Sequence, residues 1–521
     1  MRRTACLLAF LTVFATACSD APKNKISPSE ARTARALLSY EAQGPLPLRA
    51  FLSQFPKGAD LHVHLSGAVY AETFVREAAE DGLCVDPVAL RFANSPCKGK
   101  LIPAKAFTGD MTGASQEIYN RLIDAFSMRS FIPMSEFSGH DQFFSVFLPT
   151  ARFDGLKESH ISEWVDEIAS RAAAQNEQYL ELMQTPSFGH AAQLAHAAGW
   201  NPDLAKFRRE LLDHGLRNEI AGDRQQVRNA ETARKQLENC GTPQATPACQ
   251  VEVRYIYQVL RAFPPEQVFA QTLLGFETVQ ASMDAHDDTW VGINFVMPED
   301  DYISMRDYTL QMAMLNYLHS IYPAVHISLH AGELAPGLVP PEGLRFHIRQ
   351  AIELGHAERI GHGVDVMYED NAPGLLKELA QNHIMIEINL TSNQDILGIE
   401  GDEHPFPSYR LTHVPVALST DDEGVSRIDI THEFERAAFD YHLNYQDLKT
   451  LARTSMEHSF LPGSSLWAQP DVFTSTVTAC NAETPGRQNP SSGCKAFLDS
   501  SQKAAAQWEL ESRFSAFEAR W

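Results

Sequence analysis

The sequence predicts an α/β fold, a (β/α)8 barrel (TIM barrel) with helical insertions and N- and C-terminal extensions. Three observations carry this expectation. Eight short apolar runs are bounded by turn residues, helical patterns separate most of them, and four runs end in histidine or acid on their C-terminal side, where such a barrel places its reactive groups. A length of 521 residues accommodates one barrel with insertions as readily as several smaller domains. A doubly wound open sheet is the competing architecture, but it wants a Gly-rich phosphate turn after its first strand, and none follows the first run.

The runs fall at 59–65, 179–185, 251–259, 290–297, 325–330, 359–364, 384–390 and 414–419. Helical periodicity precedes the second (161–174), fifth (306–321), sixth (342–354) and seventh (372–382). The polar, helix-forming stretch 190–250, with patterns at 204–214 and 220–239, is too long for a βα unit and reads as an inserted helical hairpin. Residues 84–106, rich in Pro, Cys and Lys, read as a second insertion. The expected division is a signal over 1–17, an extension over 18–55, the barrel over 56–462 and a C-terminal extension over 463–521.

The N-terminus carries Arg2 and Arg3, an apolar stretch from Leu7 to Phe14, and small residues Ala15-Thr16-Ala17 before Cys18. That order predicts export. It resembles the lipobox of bacterial lipoproteins, in which Cys18 is lipidated, although Ala15 stands where Leu is usual; a secretory signal cut after Ala17 is the alternative. Beyond Cys6 and Cys18, six cysteines fall into close pairs, Cys84 with Cys97, Cys240 with Cys249 and Cys480 with Cys494. An even count in an exported chain suggests disulfides, for which 15 connectivities exist; nearest-neighbour pairing is the economical one. The 43 basic and 66 acidic residues give a net charge of −23, which argues against a nucleic-acid partner. Past the N-terminus no apolar run approaches the ~20 residues of a membrane-spanning helix, so membrane contact is expected only through the lipid anchor.

The chemistry sits at the run ends. His62 and His64 in Asp60-Leu61-His62-Val63-His64-Leu65 are two apart, so a strand turns both to one face, where two imidazoles can chelate one metal ion. The fifth run ends His330-Ala331-Gly332-Glu333, a further imidazole followed by a carboxyl able to move protons. In Gly361-His362-Gly363 the flanking glycines let backbone approach a ligand. Asp421 and Asp422 end the eighth, and strand alternation would send them to opposite faces. Taken singly, each has a bland reading: a polar barrel interior, a solvated loop acid, a satisfied histidine, a helix N-cap. Their common position at run ends favours one site.

These motifs, with Gly67, the segment Ile386-Glu387-Ile388-Asn389 and the closing Ser459-Phe460-Leu461-Pro462, resemble the adenosine deaminase family of the amidohydrolase superfamily from about Lys57 to Pro462. The resemblance implies that His62, His64, His330 and Asp421 hold one zinc ion per chain, with iron or manganese compatible with the same ligands. It further implies that His362 orients or deprotonates the attacking water with help from Asp421, that Glu333 protonates purine N1 and that Asp422 contacts purine N7. Two positions depart from the family. Ser66 stands where nucleoside-specific members carry Asp, and Met297 where they carry Gly; with Gly67 and Asp422 these complete the expected substrate contacts.

The resemblance therefore implies zinc-dependent deamination of adenosine or 2′-deoxyadenosine to the inosine product and ammonia, by an exported bacterial enzyme acting on a small-molecule purine nucleoside. Ser66 and Met297 motivate a second reading, deamination of adenine or an N6-substituted adenosine. A secreted nucleoside-binding or signalling protein is the reading from a different class, disfavoured because binding alone needs neither His362 nor Glu333. The sequence leaves the oligomeric state open.

Overall fold

Eight parallel strands form the central sheet, each on or beside one of the eight runs: β1 (Gly58–His64), β2 (Glu177–Gln184), β3 (Glu252–Leu260), β4 (Trp290–Val296), β5 (His326–Ala331), β6 (Arg359–His362), β7 (Met385–Ile388) and β8 (Val416–Leu418), in that spatial order. The computed structural model describes residues 26–111, 113–147 and 151–521; the expected signal and Cys18 lie outside the described residues. β8 is short, and the residues after it close the barrel. Asp421 N–H donates to His62 O at 2.9 Å, His64 N–H donates to Asp421 O at 3.2 Å, and Val63 and Asp421 form a parallel bridge. Strand alternation places Leu61, Val63 and Leu65 in the apolar core, which leaves His62 and His64 for the barrel interior.

The interior holds charge as well as apolar side chains. Arg359 on β6 reaches Glu181 on β2 and Glu387 on β7 at 2.7 Å each, all three fully buried, and its guanidinium lies 3.9 Å from the centre of the Phe460 ring. Removing one partner of such a set strands the others' charge. Arg359→Met is expected to cost about 3–5 kcal/mol in a reversible denaturant titration; a loss under about 1 kcal/mol would mean the two glutamates are protonated and need no cation.

The floor of the barrel, at the strand N-terminal ends, is sealed by the termini. Buried Lys57 donates to the carbonyls of Leu52, Phe55 and Gln175 at 2.7, 3.1 and 2.6 Å. The last helix (Gln502–Glu518) meets the start of β2, where Gln178 donates to Ala506 O at 2.7 Å. The Phe51 ring, on helix Pro45–Leu52, meets Phe517 edge-on and Trp521 at a tilt, with ring centres 5.2 and 5.1 Å away. Among the described residues no helix is long and apolar enough to cross a membrane.

Several expectations need correction. The helix expected over 342–354 is broken into a 3-10 turn (Pro341–Leu344) and a helix (His347–Glu353), because Pro340 and Pro341 set the turn and the Glu369 carboxylate accepts the Ile348 and Arg349 amides at the new start. The 84–106 stretch contains a three-stranded antiparallel sheet (Cys84–Asp86, Arg91–Ala93, Ile102–Pro103) with no counterpart in the sequence reading. The stretch 190–250 forms the two expected helices (Leu204–Asp213, Ile220–Leu237) and one more ahead of them (Gly189–Ala198), laid on the barrel's outer helices. The cysteines, by contrast, pair as expected, Cys84–Cys97, Cys240–Cys249 and Cys480–Cys494.

Candidate active site

The strand ends bring His62, His64, His330, His362, Glu333, Asp421 and Asp422 together at the C-terminal mouth. Potential ligand atoms of His62, His330, His362 and Asp421 lie within 4.8 Å of one another, as do those of His64, Asp421 and Asp422. Proximity alone would admit His362 as a ligand. Hydrogen bonds at the Nδ1 atoms separate it from the others.

Three imidazoles have Nδ1 facing an acceptor: His62 to Glu387 Oε2 at 2.6 Å, His64 to Gln258 Oε1 at 2.7 Å and His330 to Asn294 Oδ1 at 2.7 Å. Each Nδ1 is thereby the donor, and each Nε2 keeps its lone pair, the second-sphere arrangement typical of metal-binding histidine. Those lone pairs converge: His64 Nε2 lies 3.2 Å from His330 Nε2, and Asp421 Oδ1 lies 3.2 Å from His64 Nε2 and 3.7 Å from His62 Nε2. His62 Nε2 is buried without a hydrogen-bond partner. Burial and the neighbouring imidazoles push His330 well below its usual pKa, keeping it neutral. His64 is affected by burial, which lowers it, but Asp422 and Asp421 outweigh that and raise it to about 9, so the field at its Nε2 favours a positive charge, proton or metal. Asp421 is ionised: burial works against that form, but the hydrogen bond with His64 and the nearby His362 and His62 hold its carboxyl well below the usual range. Ser392 Oγ donates to its other oxygen at 2.6 Å. The donor set fits a divalent ion of borderline softness.

His362 is wired the opposite way. The Phe406 amide donates to His404 Nδ1 at 3.1 Å, which puts the His404 proton on Nε2, and that atom faces Asn393 Oδ1 at 2.9 Å. The Asn393 NH2 must then be the group 2.9 Å from His362 Nδ1, so the His362 proton sits on Nε2. Burial keeps both rings neutral, each pushed down to about 3. His362 Nε2 points at Glu333 Oε1, 3.5 Å away, and Asp421 Oδ2, 3.8 Å away. Asn393→Asp replaces this donor by an acceptor and moves the His362 proton to Nδ1. It is expected to lower kcat about 10²-fold with metal retained and to move the imidazole nitrogen NMR shifts; unchanged shifts would show that Asn393 does not set the tautomer.

Glu333 is buried, and burial together with Asp421 and Glu299 raises its pKa well above the usual range, which favours the protonated carboxyl. Glu299 shapes the turn that carries it. Its carboxylate accepts the Gly332 and Glu333 amides at 3.0 and 2.8 Å and faces His347 Nδ1 at 2.5 Å. Gly332 takes φ +76°, the conformation that aims Glu333 into the mouth.

Two sequence inferences change in detail. Asp421 and Asp422 lie beyond β8, and Asp421 has φ +59°, so a left-handed turn replaces the strand alternation that would send them to opposite faces, and both carboxylates line one cavity with oxygens within 4.8 Å of each other. Gly361 gives room to protein rather than ligand: a Cβ there would lie 2.5 Å from His62 Cε1.

The expected substrate contacts Ser66, Met297 and Asp422 line a cavity of about 370 Å3 above the cluster, shared with His64, His330 and Glu333. Gly67 does not line it but makes room for a residue that does, since any Cβ on Gly67 would overlap the Asp422 carboxylate. Burial raises Asp422 to about 8 with the Asp421 charge, against the pull of His64, so the two share a proton, and when His64 is neutral Asp422 is the member that holds it and can donate to a heteroaromatic nitrogen. Its Oδ1 is buried and unpartnered. Met297 takes φ +89°, a glycine-type conformation that survives with a thioether side chain. Sequence reasoning missed the holding residues Glu299, Gln258, Asn294, Ser392, Asn393 and His404, and gave Glu387 no role.

The adenosine deaminase family model matches residues 127–466, about two thirds of the chain; β1, with His62 and His64, precedes that range. The adenosine deaminase of Clostridium perfringens (strain ATCC 13124) is 36% identical over 135 residues, 26% of this chain and 37% of that protein, so the aligned stretch spans little more than a third of this curated relative. An adenine deaminase from Arthrobacter aurescens superposes with a TM-score of 0.50 at 16% identity, covering 78% of this chain and 94% of the other. The N6-methyl-AMP deaminase of Arabidopsis thaliana gives a TM-score of 0.50 at 19% identity over 80% and 94% of the two chains. These two share the fold. Given the extent of the family match, and a barrel mouth that gathers the motif residues from both sides of its boundary, the chain belongs to the adenosine deaminase family.

Proposed function

We propose that this protein catalyses metal-dependent hydrolytic deamination of adenosine or 2′-deoxyadenosine, with zinc held by His62, His64, His330 and Asp421. One observation carries the proposal: three imidazoles whose Nδ1 atoms are committed to acceptors turn their Nε2 atoms to one place beside the Asp421 carboxylate, with the buried Glu333 carboxyl next to it. The bound ion supplies the Lewis acidity that makes water nucleophilic near neutral pH. Glu333 gives its proton to purine N1 as water adds at C6. His362, with its proton on Nε2, donates to the incoming oxygen and orients it, and ionised Asp421 accepts the water's proton. Asp421 passes that proton on to the C6 amine, the C6–N bond breaks, ammonia leaves, and the remaining hydroxyl proton returns to Glu333 as C6 becomes the carbonyl of the inosine product. Asp422 donates to N7.

Steady-state assays on a purine panel, following the loss of adenosine absorbance, test this. Turnover by metal-loaded chain and none by chelated chain is expected; inertness of the metal-loaded chain toward every aminopurine would end the proposal. Metal analysis separates zinc from iron and manganese. Ser66 and Met297 in the cavity favour, as a second reading, adenine or an N6-substituted adenosine, which the same panel ranks. We also propose export with a lipidated Cys18, supported by the order Ala15-Thr16-Ala17-Cys18. Intact mass of protein from the native envelope checks it, and a mature terminus elsewhere would refute it.

A further inference from the structure

The cavity over the catalytic cluster has two unlike parts. One is imidazole and carboxyl. The other is largely phenylalanine: the helix Gly139–Phe144, begun by a Ser138 capping box, ends in Phe143 and Phe144, whose ring centres lie 5.4 Å apart, and Phe147 lies 6.4 Å from Phe143 and 6.2 Å from Phe153. All four rings line the cavity, joined by Phe263 and Ile396.

Few polar groups remain to meet a sugar. Gln258 is occupied, its Oε1 by His64 Nδ1 at 2.7 Å and its Nε2 by donation to Thr185 Oγ1 at 3.0 Å. That leaves the hydroxyls of Thr185 and Ser66 in the lining. Among the described residues no lysine or arginine lines the cavity. Buried Arg261, outside the lining, is turned to the carbonyls of Met297 and His330 at 3.1 Å each. A ribose would leave hydroxyls facing aromatic carbon, and a phosphate on that side would lie among phenylalanine rings with no lysine or arginine of the described lining to pair it.

We infer that the site selects uncharged aminopurine nucleosides whose sugar is deoxygenated or bears an apolar group, and rejects 5′-nucleotides. This rests on the deaminase reading and narrows its substrate class. The test compares kcat/KM of the full-length, metal-loaded protein for adenosine, 2′-deoxyadenosine, 5′-deoxyadenosine and 5′-AMP. Calorimetric affinities for inosine, 5′-deoxyinosine and 5′-IMP accompany it. At least one deoxynucleoside is expected to exceed adenosine by about tenfold or more, and 5′-AMP to fall about 10³-fold below adenosine, with the calorimetric affinities in the same order. Adenosine preferred over both deoxynucleosides, or 5′-AMP turned over within about tenfold of adenosine, would overturn the inference. Absence of all turnover would instead sink the deaminase reading, and the calorimetric order would still decide the pocket's preference.

Phe147→Arg, at a half-buried position, is expected to raise the 5′-AMP to adenosine ratio by about tenfold or more. Phe144→Arg, also half-buried, serves if the first variant does not fold. An unchanged ratio in a folded variant would show that the phenylalanine wall does not face the sugar.

Discussion

A Glu333→Gln chain is expected to keep its metal, to bind substrate with nearly unchanged affinity and to lose at least ~10² in kcat, a barrier increase of about 2.7 kcal/mol or more. Gln retains the shape and an amide donor but has no proton to transfer, so the loss belongs to the transition state. Glu333 is not among the clustered ligand groups, and its Oε1 lies 3.5 Å from His362 Nε2. The sign of the pH effect follows from the raised pKa: the carboxyl is competent below it and turnover falls as pH rises through it, so the wild type should show an alkaline limb that the Gln variant lacks. Wild-type kcat in the variant, or loss of its metal, would move the proton donor elsewhere.

His330→Ala should have the larger effect, removing metal and turnover together. Its Nε2 sits 3.2 Å from His64 Nε2 at the centre of the lone-pair cluster, and its Nδ1 is committed to Asn294. Loss of one of the four proposed ligands would also leave the neighbouring Asp421 and Asp422 carboxyls with less positive charge beside them. Metal content by elemental analysis and kcat on adenosine are the two readouts. Full activity in a metal-free preparation would end the mechanism, whereas retained metal with lost turnover would place His330 in substrate binding.

The barrel was legible because apolar runs and helical periodicity are local signals, and the reactive groups because they cluster at run ends. Glu387, Asn294 and Gln258 were less legible. Each is a single polar residue inside an apolar strand, and its meaning depends on which histidine the closed barrel puts beside it. Their one signal was polarity where burial was expected. The His404–Asn393–His362 chain joins residues from separate elements through tertiary folding, so no spacing rule reveals it. The phenylalanine wall looked like ordinary local core. Strand alternation failed at Asp421 because the strand stops at Leu418 and the backbone turns left-handed after it.

The packing of the termini under the barrel has an architectural consequence. Arg32 donates to the carbonyl of Trp521 at 3.1 Å and Ser29 to Glu518 at 3.5 Å, so the first and last described helices run side by side on the floor, opposite the mouth. Their ends can be joined by a short linker and the chain reopened at a surface loop, giving a circular permutant with an unaltered catalytic face. Attachment to a bead or a membrane through either end holds the molecule by its base, and substrate reaches the cavity from the free side.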